Sequence, residues 1–171
     1  MKTYKQTVLI IGLIMLFNLP LPVFATPATR DFQGNRASLE GLQGIAVSVV
    51  LPKRAEQIGL FERHMMAEIE PQLRLAGIKV MTKEEVLNVK GTPFIEVSIT
   101  TFKESQGIFS YFISIGFIQD VSLGRDPLIR LQGITWIHGA LGYGDKTNVR
   151  HSIKDLMNKF IDAYLSVNPK S

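Results

Sequence analysis

The chain has 171 residues, in which 19 lysines and arginines stand against 15 acidic side chains, and it contains no cysteine. Disulfides and cysteine-ligated metal sites are therefore excluded, and packing alone must hold the fold. The near balance of charges argues against nucleic-acid binding, which needs a concentrated basic face.

The first 25 residues are predicted to be a secretory signal peptide. Lys2 and Lys5 precede an apolar run over residues 8–17, and two prolines and Ala25 follow in the order typical of a cleavage site. The run is about half the roughly 20 residues that a spanning helix needs, so we expect cleavage after Ala25 and no membrane span afterwards. Cleavage leaves 17 basic against 15 acidic side chains, a net charge of +2. The mature protein is expected to be periplasmic or secreted, and a lipoprotein anchor is not expected without a cysteine.

Residues 26–43 are polar and aperiodic, and we predict a flexible lead-in there. Residues 45–51 alternate between apolar and small side chains, which predicts a first strand that ends at Pro52. Over residues 55–76 the period changes to three and four, which predicts an amphipathic helix. Its apolar stripe comprises Ile58, Phe61, Met65, Ile69, Leu73 and Ala76.

A short second strand is predicted over residues 78–81. Thr82 and Glu85 have the spacing of a capping box, which opens a short helix. Three further strands are predicted over residues 93–102, 109–123 and 128–139, joined by turns.

The strand over 109–123 alternates strictly, which places Phe109, Ile113 and Phe117 on one apolar face. A second long helix follows, with Asn148 as its expected cap and Pro169 as its end. The apolar strand face should lie beneath the two long helices.

This order of elements predicts one α+β domain over residues 44–168. We expect a two-layer sandwich, in which a mixed sheet of about five strands (β-α-β-β-β-β-α) carries two long helices on one face. The first strand-helix-strand unit should cross over right-handed and pair in parallel.

Several motifs carry a resemblance to known proteins. They are the run Gln119, Val121, Leu123 and Arg125, Trp136, glycines 139, 142 and 144, and the ending D-L-x-x-x-F-I-x-x-Y-L-x-x-N-P over residues 155–169. With them the chain resembles, over about residues 42–170, an uncharacterised family of small secreted bacterial proteins that brings no assigned activity. In element order alone it is similar to the amino-terminal domain of TolB and to CsgG, envelope proteins that bind other proteins. These resemblances imply another envelope protein as a partner.

No pattern in the sequence indicates a catalytic, metal or cofactor site. The glycines and basic residues of 139–150 lack the spacing of a phosphate-binding loop, and we interpret the segment as a flexible loop with anion binding as a minor alternative. His64, His138 and His151 lack metal-ligand spacing and are expected at the surface. No G-x-S-x-G elbow occurs, so no nucleophile is nominated and we predict no enzyme.

Trp136 is the centre of the predicted contact surface. Strict alternation would place it on a partly polar sheet face with Arg130, opposite Ile137. Two alternatives stay open there: an exposed recognition residue, or an indole that the lead-in covers. Phe94, Phe102 and Phe112 are predicted on the same face.

The predicted function is a non-enzymatic module of the bacterial envelope that binds another protein. The alternative is a carrier of a small apolar ligand held between helices and sheet, because the chain has ten phenylalanines and six methionines that can line a cavity. A hydrolase with an unrecognised site is a third hypothesis, for which no residue is nominated.

Overall fold

The computed structural model describes residues 33–53, 55–105 and 108–169. The strands are β1 (Ala46–Val50), β2 (Phe94–Ser105), β3 (Ile108–Leu123) and β4 (Asp126–Gly144). The helices are α1 (Gln33–Ala37), α2 (Glu62–Leu75), α3 (Lys83–Val86) and α4 (Lys146–Val167), with a 3₁₀ turn at Ala55–Ile58. The predicted signal peptide, residues 1–25, lies outside the described ranges. None of the helices within them is both long enough and apolar enough to span a membrane.

The four strands form one mixed sheet in the order β1-β2-β3-β4, so the protein is of the α+β class. β1 runs parallel to β2, with Val47 opposite Ile95. The pairs β2–β3 and β3–β4 are antiparallel. The long β3–β4 hairpin leaves β4 at one edge of the sheet.

The sheet has four strands where about five were predicted, because residues 78–81 do not form a strand. They join the sheet through one parallel bridge between Ile45 and Val80, in the predicted direction. The Met81 amide donates to the Ile45 carbonyl over 2.8 Å, and the capping box then begins at the next residue. The Glu85 amide donates to the Thr82 hydroxyl and so caps the start of α3. Because the helix begins here, residues 78–81 do not form a longer β-ladder with β1.

Helix α2 has the later part of the predicted stripe, with Met65, Ile69 and Leu73 buried. The predicted start at residue 55 is wrong, because residues 55–58 form a separate 3₁₀ turn and Gly59 takes a φ of 78° before α2 begins at Glu62. It ends where Gly77 takes a φ of 86°, a left-handed conformation that glycine adopts without strain. The Ile78 amide then donates to the Leu73 carbonyl over 2.9 Å. The local sequence thus determines both the face and the end of this helix.

Helix α4 begins one turn earlier than predicted, at the N-cap Asp145. The Asp145 carboxylate accepts from the Thr147 and Asn148 amides at 2.8 and 3.2 Å. Asn148, the expected cap, is the third residue of the helix, and its side-chain oxygen accepts from the Asp145 amide at 3.0 Å. Asp145 takes the capping role because β4 continues to Gly144, so that Asp145 is the single residue between the strand and the helix.

One buried cluster unites the helices with one face of the sheet. Met65 and Phe160 lie in it together with Phe109, Ile113 and Phe117, as the alternation and the helical stripes predicted. The Phe117 and Phe160 rings are 6.0 Å apart. We call this sheet face the inner face and the opposite one the outer face.

The prediction of a flexible lead-in needs correction for residues 33–43. Leu39 is fully buried in the core cluster. Asn168, at the end of α4, donates to the Leu39 carbonyl over 2.8 Å, and its side-chain oxygen accepts from the Gly41 amide over 2.8 Å. The anchoring groups lie far away in the chain, so the local composition of the segment could not reveal them.

Candidate interaction surface

A β-bulge in β4 decides which side chains reach each face of the sheet. Phe117 pairs with Trp136, whereas the next residue of β3, Ile118, pairs with Ile134. Thr135 is therefore an extra residue of β4 that has no paired residue on β3, which defines a β-bulge. Because side chains alternate with a period of two, one extra residue reverses the faces beyond it.

Trp136 consequently lies on the inner face, against the prediction that placed it with Arg130. It is 2% exposed. Its indole meets the Phe160 ring of α4 edge to face, with centroids 5.2 Å apart and an interplanar angle of 79°. The His138 ring lies 4.8 Å away on the same strand face. Of the two alternatives for Trp136, the exposed recognition residue is wrong: the indole is covered, and helix α4 contributes to that cover.

The other predicted surface residues do not form one surface. Phe112 is exposed on the outer face, opposite Leu141. Phe94 is also on the outer face, but it is half-buried on the β1 side of the sheet, where it packs against Ala46 and Val86. Phe102 is 62% exposed at a second bulge, within β2. Arg130 is exposed on the distal part of the hairpin.

An apolar surface that the sequence prediction missed lies on the outer face of β3 and β4. We call it the β4 patch, and its side chains are 42–77% exposed: Phe112, Ile134, Ile137, Leu141 and Tyr143. Cross-strand pairing places them on one face, since Phe112 lies opposite Leu141 and Gly116 lies opposite Ile137. The alternation of Ile137, Gly139, Leu141 and Tyr143 in the sequence indicates that these residues share one face. The bulge at Thr135 is needed to place that face on the outer side of the sheet.

Two glycines, Gly139 and Gly116, leave space that large side chains of the β4 patch cover, so the patch is continuous. A Cβ added at Gly139 would lie 3.1 Å from Cζ of Phe112, so the ring covers this glycine. A Cβ added at Gly116 would lie 3.6 Å from Cγ2 of Ile134, which leans over its neighbour in the same way. Large side chains that cover cross-strand glycines fill the gaps between strands.

The outer backbone edge of β4 is also unpaired with any strand in the part of the chain that the structure describes. β4 is an edge strand, with β3 as its sheet neighbour. Natural edges usually carry charges or proline that prevent association, yet residues 131–144 contain no Asp, Glu, Lys, Arg or Pro. β4 therefore offers an uncharged apolar row beside an edge that no other strand of the described residues pairs with.

Residues 139–150 form regular structure, against the prediction of a flexible loop. β4 continues to Gly144 and α4 begins at Lys146. Hydrogen bonds from the Asn148 and Thr147 amides lower the pKa of Asp145. The helix amino terminus is thus occupied by the protein's own carboxylate, which repels a bound anion.

The histidines do not converge. The His64 ring stacks edge to face on Phe61, 5.1 Å between centroids, while His138 lies beside Trp136. Within the described ranges, no group of three or more metal-binding side chains comes together.

A cavity of about 240 Å³ lies beside α3 and extends to Gln132 of β4, two residues from Ile134 of the β4 patch. Its walls are mostly apolar, and it is lined by Ala46, Val47, Ser48, Lys83, Val86, Leu87, Thr92, Phe94 and Gln132. The carrier hypothesis placed its ligand between the long helices and the sheet. That space holds fully buried side chains, including Trp136, Phe117 and Phe160.

Comparisons with known proteins give little. No protein-family model matches the chain, and neither does any curated protein. Among solved structures, the chain is similar to a minor lipoprotein from Acinetobacter baumannii at 12% identity, with a TM-score of 0.31. The match covers 71% of this chain and 92% of the lipoprotein chain. The resemblance to the uncharacterised secreted family therefore stays a prediction.

Proposed function

We propose that the protein is a non-enzymatic, protein-binding module of the bacterial envelope whose contact surface is the β4 patch. The observation that carries the proposal is the row of large apolar side chains left exposed on an uncharged edge strand. The signal-like start of the sequence supports the location. A two-layer arrangement, with the long helices over the inner face, is part of this proposal. The outer face is open along β3 and β4 among the described residues, whereas at β1 it is covered by α3, whose Val86 packs with Ala46.

The size of the β4 patch supports binding of a macromolecule. Its five side chains expose roughly 600 Å², if each large side chain has about 200 Å² of surface. The largest apolar patch of an ordinary monomer is about 300–600 Å² and is often functional. The β4 patch is at the upper end of that range.

Affinity capture with chemical cross-linking in envelope extracts tests the proposal. We expect Leu141→Arg to abolish the cross-linked partner, because the change places a charge in the centre of the β4 patch. Leu75→Arg is the matched control, since Leu75 is 84% exposed at the end of α2, outside the patch. A wild-type protein that stays alone, or equal capture by both variants, would contradict the proposal.

The cavity beside α3 favours a second candidate, a carrier of a small apolar ligand. Val86, Leu87 and Phe94 supply apolar walls, and Lys83 supplies a cation for a ligand with a negative end. Native mass spectrometry should then detect a copurifying small molecule, and Ala46→Phe, which fills the cavity, should remove it. A wild-type protein with the mass of its chain alone would reject the carrier.

A further inference from the structure

We infer that the β4 patch binds a second copy of this chain, so that the protein forms a two-fold dimer. This inference rests on the proposed function and names the partner of the same surface. Three features carry it: the area of the β4 patch, its lack of charge and its internal symmetry.

The area fits a dimer interface. Homodimer interfaces are about 65% apolar, so roughly 600 Å² of apolar surface corresponds to about 900 Å² of total contact on each copy. Stable interfaces of standard size bury about 800 Å² per partner. Face-to-face packing of two β4 patches would therefore bury enough surface for a stable dimer.

The absence of charged side chains from the β4 patch favours a partner whose contact surface is also neutral. Partners of opposite charge are selected by complementary potentials, with charges of one sign facing charges of the other. The part of β4 from residue 131 to residue 144 carries no Asp, Glu, Lys or Arg. Two copies can consequently approach through this row without like-charge repulsion, and a charged partner would find nothing to pair with.

The residue spacing suits two-fold packing. Gly139 lies midway between Ile137 and Leu141, two residues from each. A two-fold axis through Gly139 runs the two β4 strands antiparallel and sets Ile137 of each copy against Leu141 of the other. An interface of this kind uses the same surface on both copies and closes at two.

Analytical ultracentrifugation of the protein purified from cells that express the full chain tests the dimer. We expect a reversible monomer–dimer equilibrium for the wild type. Leu141→Asp should weaken dimerisation about tenfold or more, as expected for a charge introduced at the interface centre. Leu75→Asp, on the far end of α2, should change the dissociation constant by less than about twofold.

The outcomes separate the dimer from the broader binding function. A monomer at every concentration, assemblies larger than a dimer, or equal weakening by both variants would overturn the dimer. If the wild type is monomeric but Leu141→Arg still abolishes capture of a different envelope protein, binding by the β4 patch stands and only self-association fails. If it is monomeric and Leu141→Arg leaves capture unchanged, both proposals fail.

Discussion

The two faces of β4 both carry large apolar side chains but meet opposite surroundings. On the inner face Trp136 packs against Phe160, while on the outer face Ile137 and Leu141 remain exposed. Hydrophobicity alone therefore does not tell which face of this strand is buried. The bulge at Thr135 decides which side chains of β4 are buried, because one added residue exchanges the two faces of the strand.

The two faces of β4 also differ in how closely their side chains are packed. On the inner face the Tyr111 ring occupies the space above Gly142, and its hydroxyl lies 3.0 Å from the Ser152 hydroxyl of α4. On the outer face Phe112 covers Gly139, yet the ring itself stays partly exposed. Mutations on the inner face should consequently change stability, and mutations on the outer face should change association.

The largest effect is expected for Trp136→Ala. Removal of a buried indole loses transfer free energy and leaves a cavity against Phe160, which costs about 3–5 kcal/mol of unfolding free energy. Ile137→Ala, one residue along on the outer face, should cost less than about 1 kcal/mol. Urea unfolding of both variants measures the contrast, and equal losses would show that the assignment of the two faces is wrong.

A smaller loss is expected for Gly142→Ala. The new Cβ would lie 2.3 Å from Cζ of Tyr111, so the ring must shift, at about 1–3 kcal/mol for an overpacked site. Gly124→Ala is the control, because a Cβ there meets no atom within 4 Å. In a double-mutant cycle, Tyr111→Ala should reduce the penalty of Gly142→Ala. Purely additive effects would exclude the proposed clash.

Asp145 should give a smaller, pH-dependent effect at the junction of β4 and α4. Its pKa is lowered in the folded state by the Asn148 and Thr147 amides, so its contribution is fully present above the unfolded pKa, about 3.9. The contribution is lost as the pH falls through the lowered folded pKa. Unfolding of Asp145→Ala should thus differ from wild type at neutral pH and converge with it in acid. A difference that does not change with pH would contradict this assignment.

The smallest effect on stability is expected for Leu141→Ser on the outer face. The side chain is mostly exposed in the single chain, so unfolding free energy at low protein concentration should change by less than about 0.5 kcal/mol. Dimerisation should nevertheless weaken, which sedimentation measures on the same samples. A marked loss of stability in the monomer would show that Leu141 is covered within one chain.

Regular periodicity predicted much of the fold correctly. The three-and-four spacing of Met65, Ile69 and Leu73 and the alternation of Phe109 and Ile113 identified buried faces, since each pattern is local and uninterrupted. The candidate site was predicted less well. Of the five nominated residues, Phe112 alone belongs to the β4 patch. Trp136 was assigned to the wrong face because strict alternation does not reveal the bulge at Thr135.

The amino-acid sequence by itself determined the buried faces of α2 and β3, the capping box of α3 and the glycine end of α2, all of which depend on neighbouring residues. Tertiary structure alone decided that Leu39 is held by Asn168 and that Trp136 turns inward. Each of these depends on a partner distant in the chain. Long-range pairing sets the register of a strand, and the register assigns its side chains to the core or to the surface.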